Sequence, residues 1–142
     1  SKEIESNLNA DLLSLKELLQ TCRYIVILCP LTAETKHLIK SNELNLMRKD
    51  SFLINIARGP IVKESDLIEA LEKKTIAGCA LDVYEFEPHY DVRLSKMDNV
   101  VLAPHAGSAS VRARTGMVEL AAKNIESFFL RNEVLNPVNN IK

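Results

Sequence analysis

Four short apolar runs punctuate the chain: Tyr24 to Leu28 (YIVIL), Phe52 to Ile56 (FLINI), Ile76 to Val83 (IAGCALDV) and Val100 to Ala103 (VVLA). Each is too short for a helix and rich in β-branched residues, so each predicts a strand. The runs are almost continuously apolar instead of alternating, which predicts a parallel sheet with both faces covered by helices. The segments between them carry helix patterns. Ser14-Leu-Lys-Glu17 is a capping box that opens a short helix through Gln20. Ser41 to Met47 and Glu64 to Lys73 predict crossover helices, the second with Leu67, Ile68 and Leu71 at helical spacing. A long last helix is expected from about Ser110 to Leu130, with Met117, Ala121, Ile125, Phe128 and Phe129 on one stripe read as core or interface. The alternation of strands and helices reads as an α/β fold.

Composition narrows this further. A chain of 142 residues, 46% of them hydrophobic, has material for one core, and no repeat, low-complexity tract or Gly/Ser linker marks an internal boundary. One domain is expected. The net charge of -1 and a pI near 6.3 give no pull toward a polyanion, so nucleic acid is not an expected partner. No apolar run approaches the roughly 18 to 20 residues that span a bilayer. The opening stretch, Ser1 to Asn9, is polar and of mixed charge. No membrane association and a cytoplasmic location are therefore expected. Cys22, Cys29 and Cys79 form no CxxC pair and read as small buried hydrophobes. His37, His89 and His105 are too scattered for a metal pair, and no metal site is expected.

In an open parallel sheet, ligands bind outside the carboxyl ends of the strands. The residues that follow the four runs are Cys29-Pro30-Leu31-Thr32, then Ala57-Arg58-Gly59-Pro60, then Asp82 with Glu87-Pro88, then Pro104-His105-Ala106-Gly107. One edge of the sheet should thus present Arg, Asp, Glu and His together. That set suits reduction of a 2-keto acid or oxidation of the matching hydroxy acid. His105 can protonate the carbonyl oxygen as hydride reaches the carbon, and Glu87 can hold the imidazole in one tautomer. Arg58 offers a planar fork of donors matched to a carboxylate.

The same residues resemble a known family. Asn55-Ile-Ala-Arg-Gly-Pro60, Ala80-Leu-Asp-Val-Tyr-Glu-Phe-Glu-Pro88 and Asp98-Asn-Val-Val-Leu-Ala-Pro-His-Ala-Gly107 look like the C-terminal part of the cofactor domain of D-isomer-specific 2-hydroxyacid dehydrogenases. Cys29-Pro-Leu-Thr-Ala-Glu-Thr35 and Asn136-Pro-Val-Asn139 extend the likeness over nearly the whole chain. The resemblance implies a Rossmann-like, doubly wound sheet, of which residues 1–142 would be a partial NAD(P)-binding domain. It implies Arg58, Glu87 and His105 as the catalytic trio, with NAD or NADP as cofactor. By the same resemblance Ile56, Ala57 and Arg58 line the nicotinamide, and Asp82 binds its carboxamide or the adjoining ribose. Pro30 and Thr35 border the adenosine half, and Gly107 and Ser108 complete the wall beside the ring, with His105 also among the residues that contact the cofactor. Related formate dehydrogenases carry Gln where Glu87 stands, so the acid favours keto-acid chemistry.

Two features depart from the family. The GxGxxG fingerprint and the residue that selects NAD or NADP are absent from these residues, and the loop His89 to Leu94 is shorter and more polar than usual. The chain reads as a fragment or split product whose first strand has an unpaired apolar edge, inviting self-association as a homodimer or pairing with a missing N-terminal half. Glyoxylate, hydroxypyruvate, lactate and phosphoglycerate-type acids all remain open as substrates. A non-catalytic nucleotide-sensing or dimerisation module is the alternative. A phosphate-receiving signalling domain would need an acidic pair after the first strand, which Asp82 does not supply.

Overall fold

The computed structural model describes residue 7 and residues 10–139. The opening stretch Ser1 to Asn9 lies, apart from residue 7, outside them. The chain divides into two compact units, residues 1–104 and 105–142.

The first unit is built on four parallel strands in the order β1-β2-β3-β4: β1 Tyr24–Ile27, β2 Phe52–Asn55, β3 Gly78–Leu81 and β4 Val100–Leu102. Tyr24 pairs with Phe52, Phe52 with Gly78, and Cys79 with Val100. Helices α1 Leu15–Thr21, α2 Ser41–Leu46 and α3 Glu64–Glu72 make the connections. The box at the start of α1 forms as expected: Ser14 N–H donates to Glu17 Oε2 at 2.9 Å and Glu17 N–H to Ser14 Oγ at 3.3 Å. The Ser14 hydroxyl hydrogen bond, then its backbone one, hold the Glu17 carboxyl below its ordinary value. Each helix ends within a residue or two of its predicted limit, and Met47 and Lys73 serve as caps.

A single core joins the sheet to the helices. Ile25, Ile27, Leu53, Cys79 and Leu81 from one face of the sheet pack with Leu19 of α1, Leu44 of α2, and Leu67, Ile68 and Leu71 of α3. Burying a side chain of this size contributes roughly 1.5–3 kcal/mol. Among the described residues of the first unit, no element covers the opposite face, short of the cover expected on both sides. Tyr24 is 59% exposed, Val26 46% and Val101 67%. Phe52, Ile54 and Ala80 between them are only partly buried. Consecutive strand residues point to opposite faces, so runs that look continuous supply both this bare face and the packed one. β1 forms one edge of the sheet, as foreseen.

β3 is shorter than its apolar run, because Ile76 and Val83 are buried without belonging to the ladder. Cys79 is buried, while Cys22 and Cys29 are half-buried. Burial pushes the Cys79 thiol up to about 12.

The second unit is α4, Val111–Arg131, and its flanks. Ser110 caps it through a hydrogen bond from Ala113 N–H, and Asn132 ends it in the left-handed conformation, φ 54°. The chain then folds back: Asn124 Nδ2 donates to Asn136 Oδ1 at 3.0 Å, and Asn136 N–H to Asn124 Oδ1 at 3.2 Å. The stripe read as core or interface is not core within this unit. Met117 is 53% exposed, Ile125 60% and Phe129 78%, because one helix with a short return cannot cover its own apolar face.

Candidate functional site

The carboxyl ends of β1 and β2 open on a cavity of about 440 Å³ lined by Leu28, Cys29, Pro30, Leu31, Ile56, Ala57 and Arg58. Four residues expected to contact the cofactor, Pro30, Ile56, Ala57 and Arg58, thus stand together. Mixed walls, with the side chains of Leu28, Leu31 and Ile56 beside backbone polar groups and one guanidinium, suit a flat organic ring that carries polar substituents better than a metal. Among the described residues, no group of three His, Cys, Asp or Glu is placed to hold a metal ion.

The turn after β2 owes its shape to Asn55. Its side chain is buried, 1% exposed, and both its ends are used. Nδ2 donates to the Arg58 carbonyl at 3.0 Å, and Oδ1 accepts from Ala57 N–H at 3.2 Å. An asparagine that satisfies backbone two or three residues ahead is an Asx-type turn. It holds Ala57 and Arg58 at the rim, where Arg58 is exposed and its Nη1 donates to the Ala57 carbonyl at 2.7 Å.

Gly59 then packs against the loop after β3. A Cβ on Gly59 would stand 1.8 Å from the Tyr84 carbonyl oxygen and 2.6 Å from the Glu85 nitrogen. The Arg58 turn and the Tyr84–Glu87 loop are therefore in backbone contact. Glu87 sits on that loop, with its Oε1 accepting from Tyr84 N–H at 3.0 Å. Tyr84 reaches the other way as well, its hydroxyl donating to the Ala103 carbonyl at 2.7 Å, at the end of β4. Burial first, and the charge of Asp82 next, push the Tyr84 phenol above its ordinary value, so it stays a donor.

The remaining expected residues are placed as follows. Asp82 is half-buried at the end of β3, its N–H donating to the Asn55 carbonyl at 3.0 Å. Thr35 uses its hydroxyl within its own loop, donating to the Pro30 carbonyl at 2.7 Å and accepting from Thr32 N–H at 2.7 Å. His105 opens the second unit, exposed, with φ 52°. A non-glycine residue in that region carries roughly 1–3 kcal/mol of backbone strain, a recurrent mark of working residues. Gly107 and Ser108 follow it in an exposed turn closed by Ala109 N–H to the Ala106 carbonyl at 3.0 Å. The first unit thus assembles Arg58, Asp82 and Glu87, and the second carries His105, Gly107 and Ser108.

Reading of the residues alone passed over Asn55 and Tyr84 as site builders. An Asn immediately ahead of a turn was the available signal for the first. For Tyr84 no local signal exists, since its partner lies 19 residues away.

Comparison with known proteins places this geometry. Residues 1–107 match the family model described as D-isomer specific 2-hydroxyacid dehydrogenase, NAD binding domain. The chain is 51% identical over 127 residues to a glyoxylate reductase of Pyrococcus horikoshii, covering 89% of this chain and 38% of that protein. It is 41% identical over 122 residues to glyoxylate/hydroxypyruvate reductase A HPR2 of Arabidopsis thaliana, covering 86% of this chain and 39% of that one. Among solved structures, the holo form of Rhodotorula graminis D-mandelate dehydrogenase superposes with a TM-score of 0.92 at 30% identity, covering 100% of this chain and 42% of its own. The NADPH-dependent glyoxylate/hydroxypyruvate reductase of Sinorhizobium meliloti, in complex with NADP and malonate, gives 0.83 at 36% identity, covering 88% and 39%. The chain spans about two fifths of the length of these relatives. No helix among the described residues is long and apolar enough to cross a membrane. With three quarters of its residues matched to the family model and its four parallel strands forming part of a Rossmann-like sheet, the chain belongs to the D-isomer-specific 2-hydroxyacid dehydrogenases, in their NAD-binding domain.

Proposed function

We propose that residues 1–142 form the C-terminal part of the dinucleotide-binding domain of a cytoplasmic oxidoreductase that interconverts a 2-keto acid and its 2-hydroxy acid with NAD or NADP. Glyoxylate stands first among its substrates, because the relatives at 44–51% identity are glyoxylate reductases. The observation that carries this reading is the backbone contact between the Arg58 turn and the Glu87 loop beside the cavity at the strand ends.

In this reading Arg58 grips the substrate carboxylate with its guanidinium fork and polarises the carbonyl. His105 gives a proton to the carbonyl oxygen in the reducing direction and takes it back in the other. Glu87 orients the imidazole. The bound reduced nicotinamide supplies the hydride. Ile56 and Ala57 wall its ring, Asp82 receives its carboxamide or the adjoining ribose, and Gly107 and Ser108 close the wall. Pro30 and Thr35 border the adenosine half. The protein works as a homodimer, or in association with the N-terminal half that would carry the glycine-rich turn.

The test uses the whole enzyme that contains these residues. Glyoxylate and hydroxypyruvate are offered with NADH and with NADPH, and loss of the reduced cofactor's absorbance is followed. Consumption of the cofactor on addition of a 2-keto acid is the expected result. Cofactor binding without turnover of any 2-keto acid would replace this reading with that of a nucleotide-sensing module. The 142-residue chain by itself is expected to show little or no turnover.

A further inference from the structure

The loop that carries Glu87 is held by a cluster to which the reaction assigns no part. α3 begins at Glu64, and Lys63 before it provides no side-chain cap. The acceptor comes from the distant loop instead: Glu85 Oε2 accepts from Glu64 N–H at 2.8 Å. Glu64 reciprocates. Its Oε2 accepts from Glu85 N–H at 3.3 Å and its Oε1 from Asp91 N–H at 3.1 Å. The segment 85–91 is therefore pinned near both ends by one carboxylate, and Glu87 lies between the pins.

The remaining oxygen of Glu85 is also engaged, with His37 Nε2 2.6 Å from Oε1. His37 sits in the left-handed region, φ 53°, and its N–H donates to the Pro60 carbonyl at 2.8 Å, two residues beyond Arg58. Its segment begins at the cavity-lining Pro30. The two carboxylates are shielded from water, Glu64 being 6% exposed and the Glu85 side chain 11%, while the His37 side chain is 32% exposed at the edge of the cluster. For stability alone, apolar residues of similar volume would serve as well as two neighbouring carboxylates. What a fully hydrogen-bonded cluster adds is a unique placement of its backbone.

The geometry points to Glu85 as a positioning residue for the acid Glu87, acting with His37 and Glu64 to clamp the 85–91 loop against the turn that carries Arg58. The inference rests on the proposed roles of Glu87 and Arg58, and it places Glu85 in contact with neither substrate nor cofactor. A displacement of about 1 Å in a reacting group can cost on the order of 100-fold in rate.

The test compares Glu85→Ala and Glu85→Gln with the wild type in the whole enzyme, measuring kcat and KM for glyoxylate, the cofactor Kd, and amide hydrogen exchange at residues 84–91. The glutamine keeps an acceptor for Glu64 N–H and a polar group facing His37. Expected are a fall in kcat of about 10- to 100-fold in the alanine variant, a cofactor Kd within about threefold of wild type, and exchange at Glu85 and Asp91 faster by tenfold or more. The glutamine variant should recover most of kcat. An unchanged kcat in a folded alanine variant, whatever its melting temperature, would overturn the inference. If that variant fails to fold, Glu64→Gln takes its place, with faster exchange at Glu85 or Asp91 and a reduced kcat expected, and an unchanged kcat contrary. A wild-type enzyme inactive on every 2-keto acid would instead sink the proposed reaction, while slow exchange at Glu85 and Asp91, lost in Glu85→Ala, would still show the clamp, and equal exchange in the two proteins would refute it.

Discussion

Gly59 and Tyr84 touch through their backbones: a methyl group on the first would stand 1.8 Å from the carbonyl oxygen of the second. The glycine is required here for closeness and not for a left-handed φ, since none of the described glycines has a positive one. Through this contact the loop after β2 and the loop after β3 become one rim.

Gly59→Ala should therefore be costly. Overpacking destabilises by about 1–3 kcal/mol, and because the obstacle is main chain, the upper end is expected. Urea unfolding would measure it, and KM for the keto acid should rise as Arg58 shifts. A change in stability below about 0.5 kcal/mol would show that the two loops can part freely.

Asn55→Ala removes one donor and one acceptor that hold the Arg58 turn from below. A loss of roughly 1–3 kcal/mol is expected from the stranded backbone groups. KM for the keto acid should worsen more than cofactor affinity, since the substrate's carboxylate meets the guanidinium. Steady-state kinetics and cofactor titration on the same variant would separate the two. Equal changes in both would assign Asn55 to the fold alone.

His105→Ala should lower kcat by about 10²- to 10⁴-fold, the usual worth of a positioned proton donor, and leave the cofactor Kd nearly unchanged. Arg58→Lys should be poorly tolerated, because an ammonium cannot reproduce a planar two-point grip. Catalytic efficiency unaltered by either substitution would remove that residue from the proposed trio.

Asp91 offers a test in pH. Hydrogen bonds from the Arg93 side chain, and next from its backbone N–H, hold the Asp91 carboxyl at about 2. The folded-state value lies below the ordinary one near about 4, so whatever stability this group contributes is complete above pH 4 or so and fades as pH falls toward 2. A carboxyl-carbon NMR titration should find its midpoint near 2, and Asp91→Asn should flatten the acid limb of the stability curve between those limits. A midpoint at 4 would mean that the pairing does not persist in water.

How much of this was legible along the chain differs by element. The starts of α1 and α4 were, because Ser14, Glu17 and Ser110 act on amides three residues away, whereas the first amide of α3 meets its acceptor in the distant Glu85. The run Ile76 to Val83 misled about strand length for a physical reason: apolar continuity reports burial, and Ile76 and Val83 are buried without pairing in the ladder. The same continuity hid the bare face at Tyr24, Val26 and Val101, since a residue's type does not reveal whether a covering layer lies in the same stretch of chain. Arg58 and Glu87 stood out because each lies in the loop that follows a strand, β2 and β3 respectively.

Local chemistry thus settled the caps that open α1 and α4, the strand nuclei and the motifs that mark the family, since each of these depends on residues close together along the chain. The meeting of Gly59 with Tyr84 and the clamp of His37, Glu64 and Glu85 could arise only once parallel strands were laid side by side. Their partners lie 21 to 48 residues apart, and nothing short of the packed sheet brings such distant backbone within hydrogen-bonding reach.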